Sequence, residues 1–223
     1  MDVSWAEVFD VLRRSLWVSG TATLLACIAG APLGVLLGRA GGAGGRVARA
    51  LVHTLLALPP VVVGLALYLL FSRSGPLGGW GWLFTTRIMI LAQVLLATPF
   101  VVAVVAASVA AVPRELEAQL RALGIGAVRS RLLAVREARG GLVLAVAAAF
   151  GRSVSEVGAV LIVGGNIEGH TRVLTTAIVL ETSRGRFALA LSLGACLLVL
   201  ALLANVAVVL VSGEARGLSG AAD

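Results

Sequence analysis

Long apolar stretches separated by short polar ones dominate the pattern of this chain. Each stretch has about the ~20 residues that a helix needs to cross roughly 30 Å of hydrocarbon. The pattern therefore predicts an all-α integral membrane protein, a single domain over residues 1–223 with five membrane-spanning helices. The predicted spans cover about residues 16–38, 51–71, 88–112, 140–164 and 187–211.

The polar stretch 113–139, between the third and fourth predicted spans, is rich in arginine. Its leucines recur at helical spacing, which predicts two short amphipathic helices, 114–123 and 127–138, meeting at Gly124. Glycine suits a sharp turn because it tolerates conformations that other residues avoid. An ordinary amphipathic surface loop has the same pattern. The functional interpretation is a helical hairpin that inserts into a groove on a cytoplasmic partner.

The other connections are short. The glycine-rich stretch 40–50 is predicted to be a flexible loop. Pro59 and Pro60 are predicted to kink the second span, since proline removes backbone hydrogen bonds. The loop 72–86 carries Trp80 and Trp82, which suit a membrane interface.

The composition of the chain excludes several kinds of chemistry. The chain is 59% hydrophobic and only 13% charged, and its 18 basic residues are all arginine. Without lysine it cannot carry a P-loop ATPase site or form a Schiff base. The net charge of +7 fits arginines gathered in cytoplasmic loops better than nucleic-acid binding. The two cysteines and two histidines have no metal-ligand spacing, so no catalytic residue, metal or cofactor is expected in this chain.

The arginines also predict an orientation. If the 113–139 loop is cytoplasmic, the inner side holds more arginines than the outer side. Five spans then place the N-terminus outside and the C-terminus in the cytoplasm.

Arg152 and Glu156 lie four residues apart in the fourth predicted span, on one face of an apolar helix. Charges this deep are costly unless they are paired or face water. One interpretation is a self-neutralising pair that fixes packing at a helix or subunit interface. The other is an Arg152 guanidinium that helps an oxyanion along its path.

Further candidate residues for the pathway or gate come later in the sequence than Arg152 and Glu156. Gly164, Gly165 and Asn166 end the fourth predicted span, and they suit either an outer gate or a simple helix cap. Thr175 and Thr176 offer neutral donors to an oxyanion, but such hydroxyls are equally common in helix packing.

The 113–139 loop resembles the coupling loop of ATP-binding-cassette importer permeases. That pattern has Glu-Ala-Ala, three residues, a glycine, nine residues and Ile-x-Leu-Pro. Gly124 matches the glycine, whereas residues 118–120 read Ala-Gln-Leu and residues 134–137 read Ala-Val-Arg-Glu. Other blocks resemble the tungstate, molybdate and sulfate permeases, and the tungstate branch most. These blocks are residues 58–65, 72–78, 136–139, 151–159, 163–166 and 171–178.

The resemblance implies a transport subunit without enzymatic activity, in the inner membrane of a prokaryotic cell. Its cargo would be an oxyanion, tungstate first, with molybdate or sulfate as alternatives. Its partners would be a second copy in a homodimer, a cytoplasmic ATPase subunit that binds ATP and Mg, and an extracytoplasmic oxyanion-binding protein, besides membrane lipid. The residues implied in ATPase coupling are Glu117, Ala118, Arg121, Gly124, Ile125 and Gly126. The gate and pathway set adds Ser155, within the 151–159 block, to the candidates above.

A secondary carrier or channel driven by an ion gradient is the alternative from another class. Against it, Glu156 is the only carboxylate in the predicted spans, and Arg152 lies beside it. A membrane scaffold without transport would leave the coupling-type loop without a purpose.

Overall fold

The computed structural model describes residues 5–217, and all regular structure in that range is helical. Side chains within it are described except at a few positions, among them Glu117. The helices are α1 (Trp5–Arg39), α2 (Gly42–Leu56), α3 (Pro60–Phe71), α4 (Thr86–Ala111), α5 (Arg114–Ala122), α6 (Ala127–Glu137), α7 (Arg139–Val154), α8 (Gly158–Gly164), α9 (Leu174–Ser183) and α10 (Phe187–Gly217), with a short 3-10 turn at Gly78–Trp80.

Helices α1 and α4 pack closely at the centre of the bundle because α1 carries a ladder of glycines. Gly30, Gly34 and Gly38 lie one turn apart on the face toward α4. A Cβ atom added to Gly34 would lie 2.7 Å from Cβ of Val105, which is too close for a real contact. Small residues at such spacing let two membrane helices approach at backbone distance.

The same contacts set the directions of the helices. Gly30 lies beside Val101 and Gly38 beside Val109, so α1 and α4 run parallel. Parallel neighbours require the chain between them to cross back, which α2 and α3 do together. Helix α7 then runs antiparallel to α4, since Gly141 lies beside Ser108 near the end of α4. This alternation is what five membrane crossings require.

Within residues 5–217, three helices are long and apolar enough to span a membrane by themselves: α1, α4 and α10. Two bent pairs also qualify, α2 with α3 and α7 with α8. The first pair starts at Gly42, nine residues before the second predicted span, and the second pair overlaps the fourth predicted span. The first pair bends by 88° and the second by 56°. Pro59 and Pro60 explain the larger bend, since Pro60 has no N–H to continue the helix and Pro59 is extended.

The stretch 40–50 differs from its prediction. It was expected to be a flexible loop, but α2 begins at Gly42 and continues through it. The reason is tertiary: Gly45 is buried against Ala40, and Ala48 packs on the cluster formed by Leu37 with α4. Packing here outweighs the low helix propensity of glycine.

The second halves of the two bent pairs, α3 and α8, pack on each other. A Cβ on Gly64 would lie 2.8 Å from Cα of Ala159, and one on Gly158 would lie 2.8 Å from Val61. The loop after α3 closes over this pair, with the Phe84 N–H donating to the Val163 carbonyl at 2.9 Å. Both breaks are thereby held by the same local packing.

Candidate functional site

The hairpin α5–α6 has the form that the leucine pattern predicts. Gly124 has φ +82°, in the left-handed region, and two hydrogen bonds close the turn behind it. Its N–H donates to the Arg121 carbonyl at 3.0 Å, and the Ile125 N–H donates to the Leu120 carbonyl at 3.0 Å. This pair of hydrogen bonds ends α5 and reverses the chain. The predicted helix–turn–helix is therefore confirmed as local structure.

The tip of this hairpin points away from the bundle. Leu123 is 78% exposed, and Ala118, Arg121, Gly124 and Gly126 are exposed as well. Ile125 is half-buried under the turn. The backbone of Glu117 lies in α5, but its side chain is outside the described residues. A single exposed leucine is common on protein surfaces, so the role of these six residues in ATPase coupling stays a prediction.

The break between α7 and α8 brings several buried polar groups together. The Gln93 side-chain amide donates to the Ser153 carbonyl at 2.9 Å. The Thr175 hydroxyl donates to the Glu156 carbonyl, also at 2.9 Å. A helix break leaves backbone N–H and carbonyl groups without their helical partners. In hydrocarbon, each group that stays unpaired costs several kcal/mol, because no water is present to bond to it. Side chains from α4 and α9 thus bond to backbone carbonyls at the break.

Glu156 begins α8. Its Oε1 accepts from the Ala159 N–H at 3.1 Å, and its Oε2 pairs with Arg152 Nη1 at 3.0 Å. The carboxylate is 4% exposed, whereas the arginine side chain is 27% exposed and lies over the Phe100 ring at 5.7 Å. The predicted ion pair is therefore present. One side of the arginine remains exposed in the protomer; its role in the pathway stays a prediction.

The sequence prediction missed Gln93. It is 3% exposed and comes from α4, some sixty positions before its partner. The signal was a single amide in the mostly apolar stretch 88–112, because polar residues in membrane helices often bond across helices. Nothing in the sequence indicated which carbonyl it would reach.

The side chains of the remaining candidates near this break differ in their exposure. Ser155 is exposed, and its hydroxyl donates to the Gly151 carbonyl at 2.8 Å. The Thr176 hydroxyl is fully buried and closes the first turn of α9 by bonding to Val173. Both threonine hydroxyls are thus engaged inside the protomer. Their role as pathway donors stays a prediction.

Gly164, Gly165 and Asn166 form a tight cap at the end of α8. Gly165 has φ +68° and Asn166 has φ +51°, so two successive residues are left-handed. The Thr171 hydroxyl donates to the Gly164 carbonyl at 2.5 Å and accepts from the Ile167 N–H at 2.9 Å. The cap interpretation accounts for this geometry; a gate at the same place stays a prediction.

Helix α9 and the start of α10 add a cluster of charges that the sequence prediction did not identify. Glu181 is 6% exposed and forms an ion pair with Arg186. Arg186 Nε lies 2.5 Å from Glu181 Oε2, and Arg186 Nη2 donates to Glu181 Oε1 at 3.0 Å. A cavity of about 280 Å³ lies beside this pair, bordered also by Arg172 and Glu168. Within residues 5–217 no group of three or more His, Cys, Asp or Glu side chains is placed to hold a metal.

These features define a multi-pass membrane protein with two broken spans and a projecting helical hairpin. The family model described as "Binding-protein-dependent transport system inner membrane component" matches residues 30–216, and the chain belongs to this family. It is a permease subunit of the ATP-binding-cassette type, which carries a solute rather than transforming it. Proteins of this family work with an ATPase and a substrate-binding protein.

Three curated relatives illustrate the similarity. A probable anion ABC transporter permease of Haloferax volcanii is 42% identical over 92% of this chain and 90% of its own. A tungstate uptake system permease, TupB, of Peptoclostridium acidaminophilum is 37% identical over 89% and 87%. The molybdenum transport permease ModB of Escherichia coli is 30% identical over 79% of both chains.

Proposed function

We propose that this chain forms the membrane path of a tungstate importer, with molybdate or sulfate as the alternative cargo. The higher identity to the tungstate permease than to the molybdenum permease supports this order. The Arg152 guanidinium, partly open beside the α7–α8 break, suits a tetrahedral oxyanion. The observation that carries the transport mechanism is the exposed α5–α6 hairpin, turned at Gly124.

Two copies of the chain enclose the path on their shared axis, since one protomer leaves much of its helix surface uncovered. A cytoplasmic ATPase binds ATP and Mg and grips the hairpin of each copy. Closure of the ATPase pair then rocks the broken spans between outward-open and inward-open states. The N-terminus lies outside and the C-terminus in the cytoplasm, and an extracytoplasmic protein delivers the anion.

Gradient-driven transport is the competing mechanism, and the described residues give it little support. A proton relay needs a series of carboxylates along the path, whereas the predicted spans hold one, Glu156, which pairs with Arg152 and accepts from the Ala159 N–H. The decisive experiment is tungstate uptake into proteoliposomes that contain the permease, its ATPase and its binding protein. Tungstate uptake is expected only when ATP is supplied on the side of the ATPase and the ATPase is intact. Uptake from a pH or sodium gradient alone would reject the proposal.

The anion is tested separately, because tungstate and molybdate share size and charge. Calorimetry of the cognate binding protein with tungstate, molybdate and sulfate measures the preference directly. We expect the tightest binding for tungstate. A clear preference for sulfate would change the cargo and leave the permease mechanism standing.

A further inference from the structure

Helix α2 presents three different faces. Its inner face, with Ala48 and Val52, packs on the α4 cluster. A second face is apolar and exposed, with Val47, Leu51 and Leu55 spaced by four and exposed by 59%, 60% and 46%. The third face is polar and is formed by the side chains of Arg46, Arg49 and His53.

The polar and apolar exposed faces lie on nearly opposite sides of α2. A helix turns by about 100° per residue, which separates the two stripes by roughly 165°. The apolar stripe is suited to lipid. The polar stripe is therefore turned away from the lipid, and within a membrane span such side chains face protein or a water-filled cavity. Arg46 and His53 are exposed in the protomer, so protein of the same chain does not cover them.

The charge on this polar face is not neutralised. Arg152, Arg172 and Arg186 each pair with a carboxylate. Within residues 5–217, no carboxylate pairs with Arg46 or Arg49, and the sequence has no Asp or Glu at all from position 11 to position 114. Arg49 is instead fixed by its bond to the Ala40 carbonyl at 3.0 Å. The face keeps a net positive charge.

The polar face also lies at a defined end of the bundle. Helix α2 starts just after Arg39, whose Nη1 donates to the Val112 carbonyl at 3.3 Å, one residue before the hairpin segment begins. The N-terminal part of α2 is therefore at the end of the bundle that carries α5 and α6. Along α2, the face continues from that end toward the bend at Pro59.

We propose that Arg46, Arg49 and His53 line an aqueous vestibule at the hairpin end, through which the transported oxyanion leaves the path. The inference rests on the proposed function. Guanidinium groups attract a tetrahedral dianion, and because these side chains remain in water the attraction is weak enough to permit release. The vestibule draws the anion past the bends without holding it.

Accessibility tests the geometry independently of transport. In a background with Cys27→Ala and Cys196→Ala, single cysteines are placed by His53→Cys and, as the matched control from the lipid-facing stripe, by Leu51→Cys. The permease–ATPase complex in nanodiscs is treated with water-soluble anionic and cationic methanethiosulfonates. Position 53 is expected to react at least tenfold faster than position 51, to favour the anionic reagent, and to be protected by tungstate. Equal, slow reaction at both positions would overturn the vestibule.

Transport tests the role of the charges. Arg46→Gln and Arg49→Gln are each expected to lower ATP-driven tungstate uptake by roughly two- to fivefold, because one solvated charge acts on the dianion through water. Arg73→Gln, an exposed arginine of the loop at the other end, is the control and should leave uptake unchanged. Unchanged uptake in both α2 variants would overturn the proposal. A loss restricted to vesicles with phosphatidylglycerol would do so too, since it would assign the charges to lipid headgroups.

The two proposals fail separately. If the unsubstituted complex takes up no oxyanion with ATP, the proposed function is wrong, whatever the thiol reactivity of α2. If it transports tungstate but position 53 is unreactive, only the vestibule is wrong.

Discussion

At the scale of single residues, Glu156 does more for the fold than its charge alone suggests. It holds the N-terminus of α8 through Ala159, receives Thr175 from α9, and neutralises Arg152. Its partner is the more exposed member of the pair. The carboxylate therefore fixes the break, while the guanidinium retains an exposed side. This difference leads to an asymmetric prediction for the two substitutions.

Arg152→Gln is expected to destabilise the protein more than Glu156→Gln. The first change leaves a carboxylate that is 4% exposed without its counter-charge, whereas the second leaves an arginine that reaches water. We expect a loss of about 3 kcal/mol for Arg152→Gln, near the lower end for a broken buried pair, and a smaller loss for Glu156→Gln. Denaturant unfolding in detergent measures both.

The double variant Arg152→Gln/Glu156→Gln is the control and should recover part of the stability, because no unpaired charge remains. The ratio of tungstate to molybdate uptake is expected to stay unchanged in Arg152→Gln. A fully stable variant with an altered ratio would show instead that the guanidinium selects the anion.

At the scale of elements, the hairpin and the glycine ladder depend on glycine for different reasons. Gly124 is needed for its backbone conformation, since it has positive φ and open space around it. Gly34 is needed for its size, since its backbone is helical and Val105 fills the space where a side chain would stand. Substitutions therefore separate the two effects.

Gly124→Val is expected to uncouple ATP hydrolysis from uptake. A β-branched residue with positive φ is strained, so the turn cannot keep the two helices of the hairpin in place. We expect ATPase activity of the complex to persist while tungstate uptake falls at least tenfold. Gly41→Val is the matched control, because Gly41 is equally open but has φ −111°, in an extended conformation that valine adopts without strain. Normal coupling in Gly124→Val would show that the turn does not transmit the motion.

Gly34→Ala is expected to destabilise the bundle by about 1–3 kcal/mol, the usual cost of overpacking a tight contact. The added methyl would meet Val105 and the Val102 carbonyl at less than 3 Å. Gly20→Ala, on the same helix with nothing near it, should be neutral or slightly stabilising. Thermal unfolding of the purified proteins compares them. Equal midpoints for the two variants would contradict the close approach of α1 and α4.

The same contrast explains what the sequence could predict. The hairpin was predictable because its signals are local: leucines at helical spacing and a glycine between them. The ion pair was predictable from its spacing along one helix. Helix α2 was not, because its glycine-rich start is helical only through burial against Leu37 and α4. The hydrogen-bond partners of Gln93 and Thr175 could not be predicted either. Gln93 lies on α4 and Thr175 on α9, whereas the carbonyls that they bond lie at the break between α7 and α8.

At the scale of the whole molecule, the parallel packing of α1 and α4 fixes how the chain is threaded. Since α1 and α4 end together beside Val112, the hairpin, the start of α2 and the end of α1 share one side. The loops that follow α3 and α8 share the other side, joined by the bond from Phe84 to Val163. In the mechanism proposed above, an ATPase would therefore act on the end of the bundle that carries the hairpin, and the loops after α3 and α8 would form the opposite end.

This threading predicts the sidedness of two exposed positions. In the background lacking Cys27 and Cys196, Leu123→Cys at the hairpin tip should react with a membrane-impermeant maleimide only in inside-out vesicles. Gly79→Cys, in the open turn after α3, should react only in right-side-out vesicles, because the second crossing separates the two positions. Labelling of both positions from one side would contradict that crossing. Labelling of Leu123→Cys from the outside alone would invert the orientation, remove the hairpin from any cytoplasmic ATPase and reject the transport mechanism proposed above.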